Sequence, residues 1–220
     1  MKILHIIANP KPAEEANSKQ LGEMFLKSLR EEKPDVEVVE VDLYKDPPPF
    51  YNYSTYRNFW YPIFTKGYEP TEEETESVKY AKKHGELFND CDILVITSPM
   101  WNFSCPAILK AWQDQVLSPG LTFEIGPGGV KPLHRIKRAV LLISSGGVYG
   151  KDNNRDNLTN QIKAALEFVG IKEFDIAWAD GQNTFFYTDS QQRKEKALKI
   201  AGELATTITA PDLDESQAVN

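Results

Sequence analysis

The chain has 220 residues, a formal net charge of −7 and two cysteines, Cys91 and Cys105, a size that buries a full hydrophobic core without metal or disulfide support. The acidic balance disfavours nucleic acid or an anionic membrane surface as partner, and no apolar stretch approaches the roughly 20 residues that cross a bilayer. The apolar run after Met1-Lys2 is too short for a signal-peptide core. Two cysteines are too few for a disulfide framework, so a reduced, cytoplasmic setting is expected, with one domain over residues 1–210 and a polar tail over 211–220.

Residues 3–8 form a short apolar run that stops at Asn9-Pro10 and predicts a first strand. A helix is expected over 17–32, and a strand of more alternating pattern over 36–41. An insert at 44–70 then breaks the rhythm: Pro47, Pro48 and Pro49 open it, and nine aromatic residues fall between Phe50 and Tyr68 without a clear period. A long irregular connection this rich in aromatic side chains is expected to be functional rather than disordered. The chain continues with a helix over 72–89 and a strand over 93–97 ending at Ser98-Pro99. A helix over 104–116, a strand over 139–143, a helix over 154–168, a strand over 174–179 and a helix over 189–208 complete it. Continuous apolar runs of strand length mark strands buried on both faces. Their alternation with helices predicts an α/β fold, a doubly wound five-stranded parallel sheet with helices on both faces.

Ligands of such sheets bind outside the carboxyl ends of the strands, and three of these ends carry unusual residues. At the first, Asn9 leads to Asn17 and Ser18, where a helix start offers backbone N–H groups to an anion. A plain N-cap by Asn17 or Ser18 is the alternative, and Glu14 and Glu15 suit a phosphate only if they point outward. Neither GxGxxG nor a Walker pattern is present. The second end runs Ser98-Pro99-Met100-Trp101-Asn102-Phe103-Ser104-Cys105-Pro106. Ser104 can cap the next helix, and Ile108, Leu109, Trp112 and Val116 give that helix a buried face. Core packing does not explain Met100 to Phe103 in a turn that is usually polar. A planar heteroaromatic ligand suits it, its edge bonded by backbone N–H groups and Asn102 and one face covered by Trp101. The third end, Ser144-Ser145-Gly146-Gly147-Val148-Tyr149, carries paired glycines that permit positive φ and close backbone approach. Cys105 reads as a small helix-start residue rather than a nucleophile. His5 belongs to a core strand, and His84 and His134 are expected on the surface, with no metal-ligand spacing among the three.

The run from Ser98 to Trp112, with Pro119-Gly120-Leu121-Thr122-Phe123 and Ser145-Gly146-Gly147-Val148-Tyr149, resembles the FMN-dependent NADH-azoreductase family. That family lies within the flavodoxin-like NAD(P)H:quinone reductases, and the similarity spans most of residues 1–205. The resemblance implies strand order 2-1-3-4-5, noncovalent FMN, and NADH or NADPH as donor. It implies electron transfer to quinones, azo compounds or similar small aromatic acceptors by a ping-pong sequence in a homodimer. It further implies that Asn9, Asn17 and Ser18 lie at the FMN phosphate. Pro99, Met100, Trp101, Asn102 and Phe103 would flank the flavin ring, and Ser144, Ser145, Gly146 and Gly147 would meet its pyrimidine side. Tyr149 would stand near the O2/N1 edge, where negative charge gathers on reduction, while the flavin itself carries the hydride at N5. Two departures stand out: Asn9-Pro10 replaces a hydroxyl residue common in relatives, and Ser145 stands where many relatives have arginine.

Phe59 and Trp60, from the insert after the second strand, are the expected substrate-pocket residues, because flat apolar side chains suit planar acceptors. A satellite hydrophobic cluster or a dimer contact is the alternative. A flavin-binding electron carrier or redox sensor without a substrate pocket is the rival function. A flavin-free regulatory domain is a third, but it leaves the turn at Met100 to Phe103 without a use.

Overall fold

The computed structural model describes residues 1–149 and 155–208, so the polar tail expected over 211–220 lies outside the described residues. Five strands build the main sheet: β1 (Lys2–Ile7), β2 (Glu37–Asp42), β3 (Ile93–Pro99), β6 (Arg138–Ser144) and β7 (Glu173–Ala179). Between β3 and β6 a small antiparallel hairpin, β4 (Phe123–Gly126) and β5 (Gly129–Pro132), stands apart as its own sheet. The main sheet is parallel throughout, in order β2-β1-β3-β6-β7. That is the expected order 2-1-3-4-5 once the hairpin is left out of the count.

The apolar runs are continuous because both faces of each inner strand are covered. Ile3, Ile93, Val95, Val140 and Leu142 face α1 (Asn17–Glu32) and α7 (Ser190–Thr207). Their neighbours Leu4, Ile6, Leu94, Ile96, Leu141 and Ile143 face the other way. There they meet α4 (Lys79–Asn89), α5 (Ala107–Val116) and α6 (Asn157–Phe168), whose buried faces carry Phe88, Leu109, Trp112, Val116, Leu158, Ile162 and Leu166. Burying a side chain of this size stabilises the fold by about 1.5–3 kcal/mol. On the opposite layer Ala197, Ala201 and Ala205 recur every fourth residue, small enough for α7 to lie close to α1 and the sheet.

The helices differ from the sequence expectations in three places. The insert is not irregular. It contains α2 (Tyr53–Phe64), capped by the Asn52 side chain, which accepts from the Thr55 N–H at 2.9 Å. The helix expected over 72–89 is two helices, α3 (Glu72–Ser77) and α4, joined at the fully buried Val78. The break lets Glu74 of α3 reach Arg57 and Tyr68 while α4 stays on the sheet. The helix expected from Ser104 starts at Ala107 with Pro106 in the cap position and no side-chain cap, because Ser104 is engaged in the preceding turn.

Candidate functional site

Register places the strand ends in a row. Pro99 pairs with Ser144 and Ser144 with Ala179, while the Ala8 N–H just past β1 donates to Thr97 O at 2.9 Å. The loops that leave these ends therefore share one rim of the sheet.

At the first end the buried Asn9 donates from Nδ2 to Ser18 Oγ (3.0 Å) and accepts from the Lys11 N–H (3.0 Å), tying the loop to the start of α1. Neither Asn17 nor Ser18 caps that helix. Ala16 holds the cap position with no side-chain bond, and Asn17 and Ser18 form the first turn. The first N–H groups of a helix have no intrahelical acceptor, so this 16-residue helix presents bare donors and a positive dipole end to the rim. Glu14 and Glu15, in the single 3-10 turn before it, are exposed. The Asn17 amide donates to Gln182 Oε1 (3.0 Å), linking the first loop to the one after β7.

At the second end the Met100 N–H donates to Ser144 O (2.7 Å), and Trp101 and Ser104 exchange backbone hydrogen bonds at 2.9 and 3.0 Å. Between them Asn102 and Phe103 have φ of 48° and 67°, the paired positive φ of a type I′ turn. Asparagine tolerates that region, but for phenylalanine it is strained, at about 1–3 kcal/mol. Neighbours hold the turn in place: Phe103 O accepts from the Asn157 N–H (3.0 Å), and the Phe103 ring meets Tyr149 edge-on with centroids 6.3 Å apart. The strained turn still leaves Trp101 and Phe103 42% and 45% exposed. Cys105 Sγ lies 3.4 Å from Gln161 Oε1, and burial pushes its thiol pKa up, which removes nucleophile character.

At the third end Ser145, Gly146 and Gly147 are laced to the loop after β7. The N–H groups of Gly181, Gln182 and Asn183 donate to Gly147, Ser145 and Gly146 carbonyls at 3.0, 3.0 and 3.1 Å. Gly146 and Gly147 do not take the positive φ their pairing suggests. Gly181 across the lacing does, at 60°. What Gly147 supplies is room, since a Cβ there would stand 3.0 Å from Tyr149 Oη. Gln182 and Asn183 belong to this rim and were missed by the sequence reading, although the strand-end rule applied to β7 points to them.

The insert residues go two ways. Phe59, 8% exposed, packs with Val78 and Ala81 in a satellite cluster and lines none of the clefts described here. Trp60 is half-buried and stacks on Tyr56 and Phe64, with centroids 6.2 and 6.1 Å away. It also lines a cleft of about 700 Å³ between α5 and α6 with Gln113, Leu117, Gln161 and Phe168. An adjoining cleft of about 690 Å³ is lined by Trp101, Asn102, Cys105, Ile108 and Tyr44, and the two share Lys110 and Gln161. Arg57 anchors α2 by pairing with Glu74 and donating to Tyr68 Oη at 2.8 Å.

His5 is a buried β1 residue, its Nε2 2.8 Å from Thr97 Oγ1. His84 is not on the surface. It is buried on α4, stacked on Tyr80 at 4.1 Å, with Nε2 3.1 Å from Asp46, and burial lowers its pKa. His134 is half-buried against Val169 O (3.0 Å), and its pKa is also lowered by burial. Among the described residues no three His, Cys, Asp or Glu side chains form a metal-sized group, and no helix is long and apolar enough to cross a membrane.

The model of the flavodoxin-like fold family matches residues 1–204. The chain belongs to the flavodoxin-like family. It is 34% identical over 211 residues to FMN-dependent NADH:quinone oxidoreductase 1 of Bacillus licheniformis, a match that covers 94% of this chain and 99% of the relative. The solved azoreductase of Bacillus anthracis strain Sterne superposes with a TM-score of 0.85 at 31% identity, covering 94% of this chain and all of that one. An FMN-dependent NADH-azoreductase of Bacillus anthracis, solved in complex with FMN, gives 0.80 at 25% identity over 93% of this chain and 97% of that one. On this flavodoxin-like sheet the rim presents the uncapped N–H groups at the start of α1. Beside them run a strained, exposed turn at 101–104 and a laced backbone edge at 145–147, an arrangement suited to a phosphorylated planar ring.

Proposed function

We propose that this chain binds FMN noncovalently on the strand-end rim and moves electrons from NADH or NADPH to quinones, azo compounds or similar aromatic acceptors. One observation carries the reading: an uncapped helix start and a strained turn bearing Trp101, Asn102 and Phe103 stand on the same row of strand ends. The bare N–H groups at Asn17 and Ser18 suit a single phosphate, with Asn9 holding Ser18 in place. Pro99 to Phe103 would receive the ring edge, Asn102 supplying its side-chain amide, and Ser144 to Gly147 would meet the pyrimidine side with Tyr149 beside it. Bound FMN supplies hydride and electron acceptance at its ring, and the protein supplies position and electrostatics.

A cleft of about 690 Å³ lined by the turn, with a second of about 700 Å³ adjoining it, favours an enzyme over a carrier, since a carrier needs only an exposed ring edge. One pocket serving donor and acceptor in turn gives ping-pong kinetics. A homodimer fits the exposed Phe50, Phe64, Phe185 and Phe186, 68–94% exposed in the single chain and an apolar liability for a monomer. Free thiols at Cys91 and Cys105 suit a cytoplasmic setting. Purified protein is expected to be yellow, and acid release should yield FMN by mass. Release of FAD, or of no flavin from protein reconstituted with FMN, would sink the proposal.

A further inference from the structure

The residue that organises the third strand end is not in that end. Trp178 sits on β7, opposite Ile143, one residue before the strand stops. It shares a strand face with Phe174 and Ile176, packed against the α4–α6 side of the core. Its indole makes two contacts at once. Nε1–H donates to Ser145 Oγ at 2.8 Å, and its ring stacks on Tyr149 with centroids 6.0 Å apart and planes 15° from parallel.

The polarity of the first contact is fixed by chemistry. An indole N–H only donates, and a serine hydroxyl has one proton. Ser145 Oγ therefore accepts from Trp178 and sends its own proton to Gly147 O, 2.8 Å away. The Ser145 hydroxyl thus has no proton left for a ligand and acts by shaping the loop. Gly147 O takes a second bond from Gly181 N–H, so the loop is gripped from both sides. The second contact sets Tyr149, whose ring reaches Gly147 on one side and the edge of Phe103, in its strained conformation, on the other. Trp178, Tyr149 and Phe103 thus form a continuous aromatic path joining the third strand end to the second.

We infer that Trp178 is a positioning residue for the planar ligand of this rim. It holds the backbone of residues 145–147 and the ring of Tyr149 where the edge of a flavin is received. The inference rests on the FMN reading above and adds a residue on which cofactor affinity depends without touching the cofactor.

The test compares Trp178→Phe, which keeps the stack and loses the N–H, with Trp178→Leu, which loses both. Ile176→Ala, on the same face of β7, controls for general loss of stability. Apo-protein is titrated with FMN by flavin fluorescence, and amide hydrogen exchange of residues 145–149 is followed without FMN. Trp178→Leu should raise the FMN dissociation constant by at least about 10-fold and speed loop exchange, and Trp178→Phe should recover part of the loss, to about 3-fold. Ile176→Ala should lower the melting temperature with FMN affinity unchanged. Wild-type FMN affinity and wild-type loop exchange in Trp178→Leu would overturn the inference and leave the cofactor reading standing. Equal weakening by Ile176→Ala and Trp178→Leu would overturn it as well, by reducing Trp178 to a stability residue. Wild-type protein that takes up no FMN would overturn both the inference and the reading beneath it.

Discussion

Asn102 and Phe103 show how a single conformational choice exposes apolar side chains at a strand end. Two adjacent non-glycine residues at positive φ are costly unless the surroundings enforce them, and here the enforcement comes from the strand ends on either side. Asn102→Ala is expected to weaken FMN binding about 5- to 150-fold, the effect of leaving a buried polar atom of the ligand unpaired. Asn102→Gly keeps the turn and removes only the side chain, so titration of both variants separates contact from conformation. Weakening by Asn102→Ala but not by Asn102→Gly would make Asn102 a turn residue alone, and wild-type affinity in both would remove it from the site. The residue identities at this turn are legible in the sequence because apolar side chains stand where a polar turn belongs. Its type I′ shape is not, since no glycine marks the positive φ. His84 was legible and misread: with Ala81, Gly85 and Phe88 it follows the 3, 4, 7 spacing of a buried helix face.

At the scale of elements, α2 is the part least visible in the sequence. Aromatics on every side of the helix blur its 3.6-residue period, and Pro62 inside it argues for a loop. Only the contacts sort its residues. Phe59→Ala should cost about 3–5 kcal/mol of stability with FMN affinity unchanged, as for other large core truncations. Trp60→Ala, at the mouth of the α5–α6 cleft, should leave the melting temperature nearly intact while changing kcat/KM for bulky acceptors or the dimer mass. Unaltered kinetics and mass would exclude Trp60 from the pocket and the contact. The anchor between α2 and α3 carries its own pH signature. The Tyr68 phenol, the Arg57 guanidinium and the Thr71 N–H hold the Glu74 carboxyl down to about 2, against the desolvation that opposes them. A carboxyl depressed on folding stabilises above its unfolded value near 4.5 and loses that contribution as pH falls toward 2. Thermal unfolding between pH 6 and 3 should therefore show a fall in the melting temperature that Glu74→Gln flattens. An identical slope in the variant would place the acid sensitivity elsewhere.

Over the whole molecule the sheet was legible because runs buried on both faces leave an unmistakable apolar trace, and because strand and helix alternate. The β4–β5 hairpin was not, since its strands are short and largely exposed. Three of the four strand ends on the rim announced themselves by glycines, aromatics or a helix start. The end after β7, Asp180-Gly181-Gln182-Asn183, contributes through backbone lacing and the Gln182 side chain, and its single glycine marks a turn without pointing to a ligand. The assembly has a direct test as well: light scattering at micromolar concentration should give twice the 24.9 kDa chain mass. A species of chain mass alone would remove the partner copy from the account. The central claim, that the rim holds FMN and passes electrons from a nicotinamide to an aromatic acceptor, is tested most directly by anaerobic stopped-flow on the purified protein. The account predicts that NADH or NADPH bleaches the flavin absorbance and that a quinone added afterwards restores it in one turnover. A flavin band that neither nicotinamide bleaches, or that stays bleached when the quinone arrives, would contradict it.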